Sequence, residues 1–514
     1  MDREPEQLVQ DNLTAKQSDY AVFLPAISSF YAGYIGRERH GVGLDAGRLP
    51  AGIGDMEGMN WLNPQKALFP YRWSLYSAGH ANLDLNKFDA KEDMVRNRDP
   101  NTIMLADSGG FQIAKGVWPG RWADPTDKKA EAQREKVLKW QMGISTYGMT
   151  MDIPTWTFRD PVAAKASGIH SYDDAVSATQ YNNEFWIANR FGDTKILNVL
   201  QGGNHAEADH WYDLMKHYSD PNKYPNRHFN GWGMGGQNMC DVHLVLKRLV
   251  HLIHDGLLEK GVHDWMHFLG TSKLEWAVLL TDIQRAIRKY HNANFTISFD
   301  CASPFLATAN GQIYTQLRTA NRGKWSYMMS PTADDKKYAT DTRTFRDAVL
   351  QDGIHDVFED SPISALMQIK DVCIYKPGDL NKIGKEGRTS WDSFSYALMM
   401  GHNVWHHIRA VQEANRRYDA GESPDMMVHP INPDFDVRPI IDRIFAARDR
   451  QKSLAIVDEY ATIWERVVGT RGFTGKRATN AHTMFNSLFE VQDEEPQTEE
   501  FDESLLDALE NQNQ

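Results

Sequence analysis

Eight short apolar runs recur along this chain, and most of them end in a carboxylate, an amide or a pair of glycines. They are Ala21–Ile27, Tyr71–Ser77, Thr102–Ala106, Ser145–Met151, Lys195–Leu200, Gly231–Met234, Trp265–Leu269 and Phe295–Phe299. Short, continuous hydrophobic runs predict strands covered on both faces, as in a parallel sheet. Between several of them lie stretches with apolar residues at three- and four-residue steps, Lys129–Trp140, Asp173–Asn189, Asp241–His254 and Leu274–Tyr290, which predicts helices. Strand and helix alternating eight times predict an α/β fold, a closed (β/α)8 TIM barrel.

A barrel of this kind keeps its chemistry at the C-terminal ends of its strands. The predicted tips carry Asp107 in Met104-Leu-Ala-Asp-Ser-Gly-Gly-Phe-Gln112, Asp152 after Met149-Thr150-Met151, and Gln201-Gly202-Gly203 after Leu200. Further tips are Gly235-Gly236 after Met234, Gly270 after Leu269, and Asp300 in Phe295-Thr-Ile-Ser-Phe-Asp-Cys301. Asp107 and Asp300 are each expected to close a run and open a loop.

A barrel takes up about 250 residues, so a chain of 514 has room for insertions and an appendage. The expected division is a barrel domain over 1–345, a C-terminal helical extension over 346–489 and an acidic, disordered tail over 490–514. The Gly- and Pro-rich segment 36–70 reads as a long insertion after the first strand, and 302–388 as an irregular, charged region. Helices are expected near Trp391–Tyr418 and Pro439–Val468. No apolar run approaches the roughly 18 residues of a spanning helix, and the polar N-terminus does not read as a signal peptide. Three scattered cysteines, Cys240, Cys301 and Cys373, make no disulfide framework and point to a reducing, cytoplasmic compartment.

The formal charge of −13 weighs against a nucleic-acid partner only until its location is considered. Residues 490–514 hold ten acids and no Lys or Arg, which leaves −3 on the rest of the chain. Within that body, 315–346 carries seven basic residues, among them Arg318, Arg322 and Lys324, interleaved with Trp325, Tyr327 and Tyr338. Such a stretch fits either a solvated loop or a surface that follows phosphates and stacks on bases.

The motifs Asp107-Ser108-Gly109-Gly110-Phe111-Gln112, Leu200-Gln201-Gly202-Gly203, Gly233-Met234-Gly235-Gly236 and Phe299-Asp300-Cys301 follow in that order, with Asn310-Gly311-Gln312 downstream. Together they resemble the tRNA-guanine transglycosylases over roughly residues 20–315, and Gly401-His402-Asn403 is similar to that family's C-terminal segment. Members acting on tRNA carry arginines between Asp-Cys and Gly-Gln, whereas the loop Ala302–Ala309 has none here. They also hold zinc through Cys-x-Cys-x2-Cys and a distant His, of which Cys373 and His402 remain; one thiolate does not make a structural zinc site. With these departures and its extensions, the chain more closely resembles the relatives, known from bacteriophages and bacterial genomic islands, that exchange guanine for a 7-deazaguanine in DNA.

The resemblance implies a DNA-guanine transglycosylase, a pentosyltransferase that needs no cofactor or metal. Its partners would be DNA and a free 7-deazaguanine base such as 7-cyano-7-deazaguanine, in the cytoplasm, or the host cytoplasm for a phage enzyme. Asp300 would attack C1′ of the nucleoside, because an aspartyl ester of the sugar is labile enough to be displaced again. Asp107 would protonate the leaving base and deprotonate the incoming one. Asp152 would accept the N1–H and exocyclic amine of guanine, while Gln201 and the Gly202, Gly235 and Gly236 backbone meet the ring edge. Ser108, Gly109 and Gly110 would bring backbone close to the ligand, and Phe111 and Leu269 would sandwich the ring. Arg318, Arg322 and Lys324 would contact the nucleic acid.

A tRNA-guanine transglycosylase is the nearest alternative. A non-catalytic partner subunit, like that of the eukaryotic tRNA enzyme, is a third, against which the retention of both Asp107 and Asp300 argues. The sequence leaves the oligomeric state open, a homodimer included. His402 and His406 have helical i, i+4 spacing, but Asn403 stands where a zinc-protease motif needs Glu, and no phosphate-binding G-x-x-x-x-G-K-[ST] loop is present.

Overall fold

The computed structural model describes residues 11–467 apart from 41–43, 45–46, 87–91, 272, 310, 375–389, 429–431 and 433–434. Asn310 and the acidic segment 490–514 therefore lie outside the described residues.

Every one of the eight apolar runs forms a strand: β1 (Val22–Pro25), β2 (Trp73–Ser77), β3 (Ile103–Asp107), β4 (Tyr147–Met149), β5 (Lys195–Leu200), β6 (Gly231–Met234), β7 (Trp265–Phe268) and β8 (Thr296–Cys301). All neighbours are parallel, in the order β1-β8-β7-β6-β5-β4-β3-β2. A parallel bridge between Ala26 and Leu75, with the Ile27 amide donating to the Leu75 carbonyl at 2.9 Å, joins the first strand to the last. The fold is thus a (β/α)8 TIM barrel with helices between its strands.

The helices begin where a short polar side chain satisfies their first free amides. Asp127 caps Lys128–Ile144, Ser171 caps Tyr172–Asn189, Asn204 caps His205–Met215 and Asp241 caps Val242–His254. Helix Leu274–Tyr290 follows β7 and buries one full face on the barrel.

The helix that covers β8 and β1 comes from much further along the chain. Asp392 caps the 27-residue helix Ser393–Asp419, whose His407 ring stacks on Phe23 of β1 at 4.2 Å and lies 3.8 Å from Cys301 Sγ of β8. Tyr418 donates to Asp282 at 2.5 Å and Arg285 pairs with Asp419 at 2.6 Å, fastening the same helix to Leu274–Tyr290. It occupies the place of the eighth barrel helix, although it lies within the stretch expected to form an extension. Helices Arg438–Ala446, Arg450–Glu459 and Ala461–Val467 follow it.

The intervening region is more ordered than its composition predicts. The expected loop Ala302–Ala309 contains helix Ser303–Ala309, and β9 (Gln312–Arg318) pairs antiparallel with β10 (Ser326–Pro331). A further helix spans Phe345–Gln351, while 375–389 is outside the described residues. Asn403 locks the hairpin to the long helix: its Oδ1 accepts from the Tyr314 amide at 2.8 Å, and its Nδ2 donates to Thr308 Oγ1 at 2.8 Å and to the Pro304 and Gln312 carbonyls at 3.2 Å. No helix among the described residues is long and apolar enough to cross a membrane.

Candidate active site

Asp107 and Asp300 stand at the ends of their strands, as expected, and both still belong to the strand ladder. Asp107 is the last residue of β3, in register with Ser77, and Asp300 is the penultimate residue of β8, in register with Leu24. Their backbones are consequently fixed by neighbouring strands, which holds the two carboxylates more rigidly than a loop does.

The Ser77 hydroxyl donates to Asp107 Oδ2 at 2.7 Å. Burial pushes the Asp107 carboxyl above the usual carboxylate range, and the nearby charge of Asp300 adds to this, against hydrogen bonds from Ser77 and the Gly109 and Ser108 amides. Asp300 is buried, and its Oδ1 accepts from the Gly270 amide at 2.9 Å and meets His267 Nε2 at 3.1 Å. Asp152, also buried, accepts from Gln201 Nε2 at 2.7 Å. Burial raises its carboxyl to about 7; the Asp107 charge acts in the same direction and the Gln201 hydrogen bond opposes it. Three carboxylates from β3, β8 and the segment after β4 thus converge at the C-terminal mouth of the barrel.

The Asp152 segment is held from behind. Gln141 donates to the Met149 carbonyl at 2.8 Å, Asn182 donates to the Met151 carbonyl at 2.6 Å, and Thr179 Oγ1 accepts from the Ile153 amide at 3.0 Å. From the β3 side, the Ser108 hydroxyl donates to the Thr150 carbonyl at 2.9 Å, so this side chain braces β3 to β4 and leaves only its backbone for a ligand. Gly109 adopts φ +79°, and a Cβ there would meet the Trp118 ring at 2.3 Å; one on Gly110 would meet the Asp152 carbonyl at 2.6 Å. Both glycines are required by close approach, which lets β3 turn into helix Gly110–Ala114 beside Asp152.

Opposite, Gly235 and Gly236 lie against the segment after β5: the Gln237 amide donates to the Gly202 carbonyl at 2.7 Å and Asn238 Nδ2 to the Gln201 carbonyl at 3.2 Å. Glu207 pairs with Arg159 and accepts from the Gly203 amide at 2.8 Å, tying the β4 and β5 loops together at the rim. Leu269 is half-buried at the end of β7. Phe111 is half-buried too, but its ring packs with Trp156, centroids 6.0 Å apart, in a small cluster with Ala114 and Ala163.

The basic stretch is divided by the fold. Arg318, Arg322 and Lys324 are exposed at the tip of the β9–β10 hairpin. The Trp325 amide donates to Glu275 Oε1 at 3.2 Å in the first turn of helix Leu274–Tyr290, which places this tip on the side of the mouth where β7 ends. The aromatic part of the expectation fails: Trp325, Tyr327 and Tyr338 are 2%, 4% and 3% exposed and cannot stack on a nucleic acid. Tyr327 stacks inside the protein instead, on Tyr314 at 5.0 Å and His407 at 4.5 Å. Arg343 is engaged by Asp341 and Asp352.

His402 and Cys373 are both occupied by other partners. His402 hydrogen-bonds through both ring nitrogens, to Ser361 Oγ at 3.0 Å and the Tyr314 carbonyl at 2.9 Å, and the Cys373 thiol donates to the Ala333 carbonyl at 3.1 Å. Burial lowers His402 to about 4. Among the described residues no group of three His, Cys, Asp or Glu side chains is placed to hold a metal ion.

Two participants escaped the sequence reading. Ser77 reaches Asp107 only through strand register, which local sequence does not display. His267 had a weak signal: Trp265 and His267 in β7, and Ser298 and Asp300 in β8, are polar-capable residues at period two in strands buried on both faces.

Fold and site together define a (β/α)8 barrel protein with a cluster of three buried carboxyl groups at the C-terminal ends of its strands. No protein-family model matches the chain, and no curated protein matches it in sequence.

Proposed function

We propose that this protein is a DNA-guanine transglycosylase, exchanging a guanine in DNA for a free 7-deazaguanine base. The observation that carries the reading is the convergence of Asp107, Asp152 and Asp300 at the C-terminal ends of the strands, the first two raised by burial and the third held by the Gly270 amide and His267. Carboxyl groups held by different hydrogen-bond partners can take separate roles.

In this reading an extruded nucleotide enters the mouth. Asp300 attacks C1′; the bond to the base nitrogen breaks, its electron pair leaves with the guanine, and Asp107 delivers the proton that neutralises it. The incoming base then gives its ring proton to Asp107, its nitrogen attacks C1′, and the ester to Asp300 breaks, so two inversions return the original configuration. Asp152 accepts from N1–H and the exocyclic amine, with Gln201 beside it.

DNA is favoured over tRNA by the segment after Asp300-Cys301. Helix Ser303–Ala309 has no arginine and is largely buried, so it offers no surface for reading an anticodon. The deciding experiment supplies labelled guanine or 7-cyano-7-deazaguanine with duplex DNA and, separately, with tRNA. Label is expected in DNA; labelled tRNA beside inert DNA would transfer the same chemistry to the alternative, and no label in either would overturn the activity.

A further inference from the structure

Oδ1 of Asp300 ends a chain of buried polar groups. Trp265 Nε1 lies 2.8 Å from Ser298 Oγ, Ser298 Oγ lies 2.9 Å from His267 Nδ1, and His267 Nε2 lies 3.1 Å from Asp300 Oδ1. His267 and Ser298 are both 0% exposed, and the groups come from adjacent strands in register, His267 with Ser298 and Trp265 with Thr296.

Proton bookkeeping along this chain has few solutions. The indole N–H only donates, so Ser298 Oγ accepts from Trp265. A carboxylate only accepts, so His267 Nε2 must carry a proton toward Asp300. The hydroxyl proton of Ser298 is then available to His267 Nδ1 when the ring is neutral. The opposite tautomer would leave two lone pairs facing each other at 3.1 Å in a site without solvent.

We infer that His267 is a positioning residue which, with the Gly270 amide, clamps Oδ1 of Asp300 and directs Oδ2 to C1′; the inference rests on the reading of Asp300 as the nucleophile. Both donors address the same oxygen, and Oδ2 makes no hydrogen bond among the described residues. Two donors on Oδ1 fix the rotation of the carboxylate, which sets the approach of the attacking oxygen. When Oδ2 bonds to C1′, Oδ1 becomes the ester carbonyl and keeps both donors. When the incoming base displaces the ester, charge returns to the carboxylate and the same two donors receive it. No proton moves through His267 in either half-reaction.

The test compares wild type with His267→Gln, His267→Phe and Asp300→Asn. The readouts are base exchange on duplex DNA, the denaturation-resistant protein–DNA adduct formed without incoming base, and affinity for free guanine. Gln can present its Nε2 near the imidazole Nε2 position, so His267→Gln is expected within about tenfold of wild type, whereas His267→Phe loses about 100-fold in kcat and adduct rate with base affinity unchanged. Because His267→Phe disturbs a buried site, nitrogen NMR of the histidine-labelled wild type provides a second measurement, with the His267 signal assigned by its loss in His267→Gln. A protonated Nε2 is expected. An unprotonated Nε2, or wild-type adduct formation in His267→Phe while Asp300→Asn is inactive, overturns the clamp alone. Persistent exchange in Asp300→Asn overturns the nucleophile assignment and the clamp with it.

Discussion

Gln201 donates its side-chain N–H to Asp152 Oδ2 over 2.7 Å, joining the segments that follow two adjacent strands. The bond orients the carboxylate but does not offset burial, and Asp152 is pushed up to about 7. A protonated Asp152 cannot accept from both N1–H and the exocyclic amine of guanine. Affinity for free guanine is therefore expected to be full above pH 7 and to weaken as pH falls through that value, measured by titration calorimetry between pH 8.5 and 5.5. At pH 8, Gln201→Ala and Asp152→Ala should each cost about 1–3 kcal/mol in base binding, with Asp152 the more costly. A flat pH profile would move the base elsewhere.

The same shift affects stability. A carboxyl raised in the folded state holds its proton more tightly than the unfolded chain does, so its contribution is present below the ordinary value of 3.8 and lost as pH rises through about 7. Asp152→Asn keeps an acceptor for Gln201 without the charge. This variant is expected to melt above wild type at pH 8.5 and level with it near pH 4, as followed by circular dichroism.

Gly109 combines a left-handed backbone with a Trp118 ring where its Cβ would stand. Gly109→Ala is expected to destabilise the fold by about 1–3 kcal/mol, since neither the φ nor the ring can be accommodated without movement. Denaturant melts give the magnitude, and base exchange should fall further than the remaining folded fraction explains.

Asn403 bonds to the Tyr314 amide, Thr308 and two carbonyls from a fully buried position. Replacing it with Ala leaves the Tyr314 amide without its acceptor, at a cost of about 2–3 kcal/mol. Asn403→Ala should lower the urea midpoint yet preserve the Asp300 adduct in the protein that remains folded.

At the hairpin tip, Arg318, Arg322 and Lys324 are exposed while the neighbouring aromatic residues are not. In the proposed function their contact with DNA would accordingly be electrostatic, without stacking. Replacing all three with Ala is expected to raise the apparent KM for DNA and to flatten its dependence on salt, with affinity for the free base unchanged. Unaltered salt dependence would exclude this tip from the DNA path.

The barrel was legible because its signals are local. Continuous apolar runs such as Lys195–Leu200 and Gly231–Met234 report strands buried on both faces, and apolar residues at three- and four-residue steps, as in Lys129–Trp140, report helices. The carboxylates at the strand tips were legible for the same reason, since a strand's end and the residue occupying it are adjacent in sequence. Trp325, Tyr327 and Tyr338 were misread because composition identifies an aromatic residue but not the face of a hairpin it occupies.

Sequence alone determined a parallel barrel with Asp107, Asp152, Gln201 and Asp300 at its mouth, because apolar runs, helical spacing and chain order are properties of neighbouring residues. Only the tertiary structure decided that Ser77 holds Asp107, that His267 and Gly270 both address Asp300 Oδ1, and that helix Ser393–Asp419 covers β1 and β8. Those relationships depend on strand register and on closure of the barrel, which bring together residues 30 to 384 positions apart that share no local pattern.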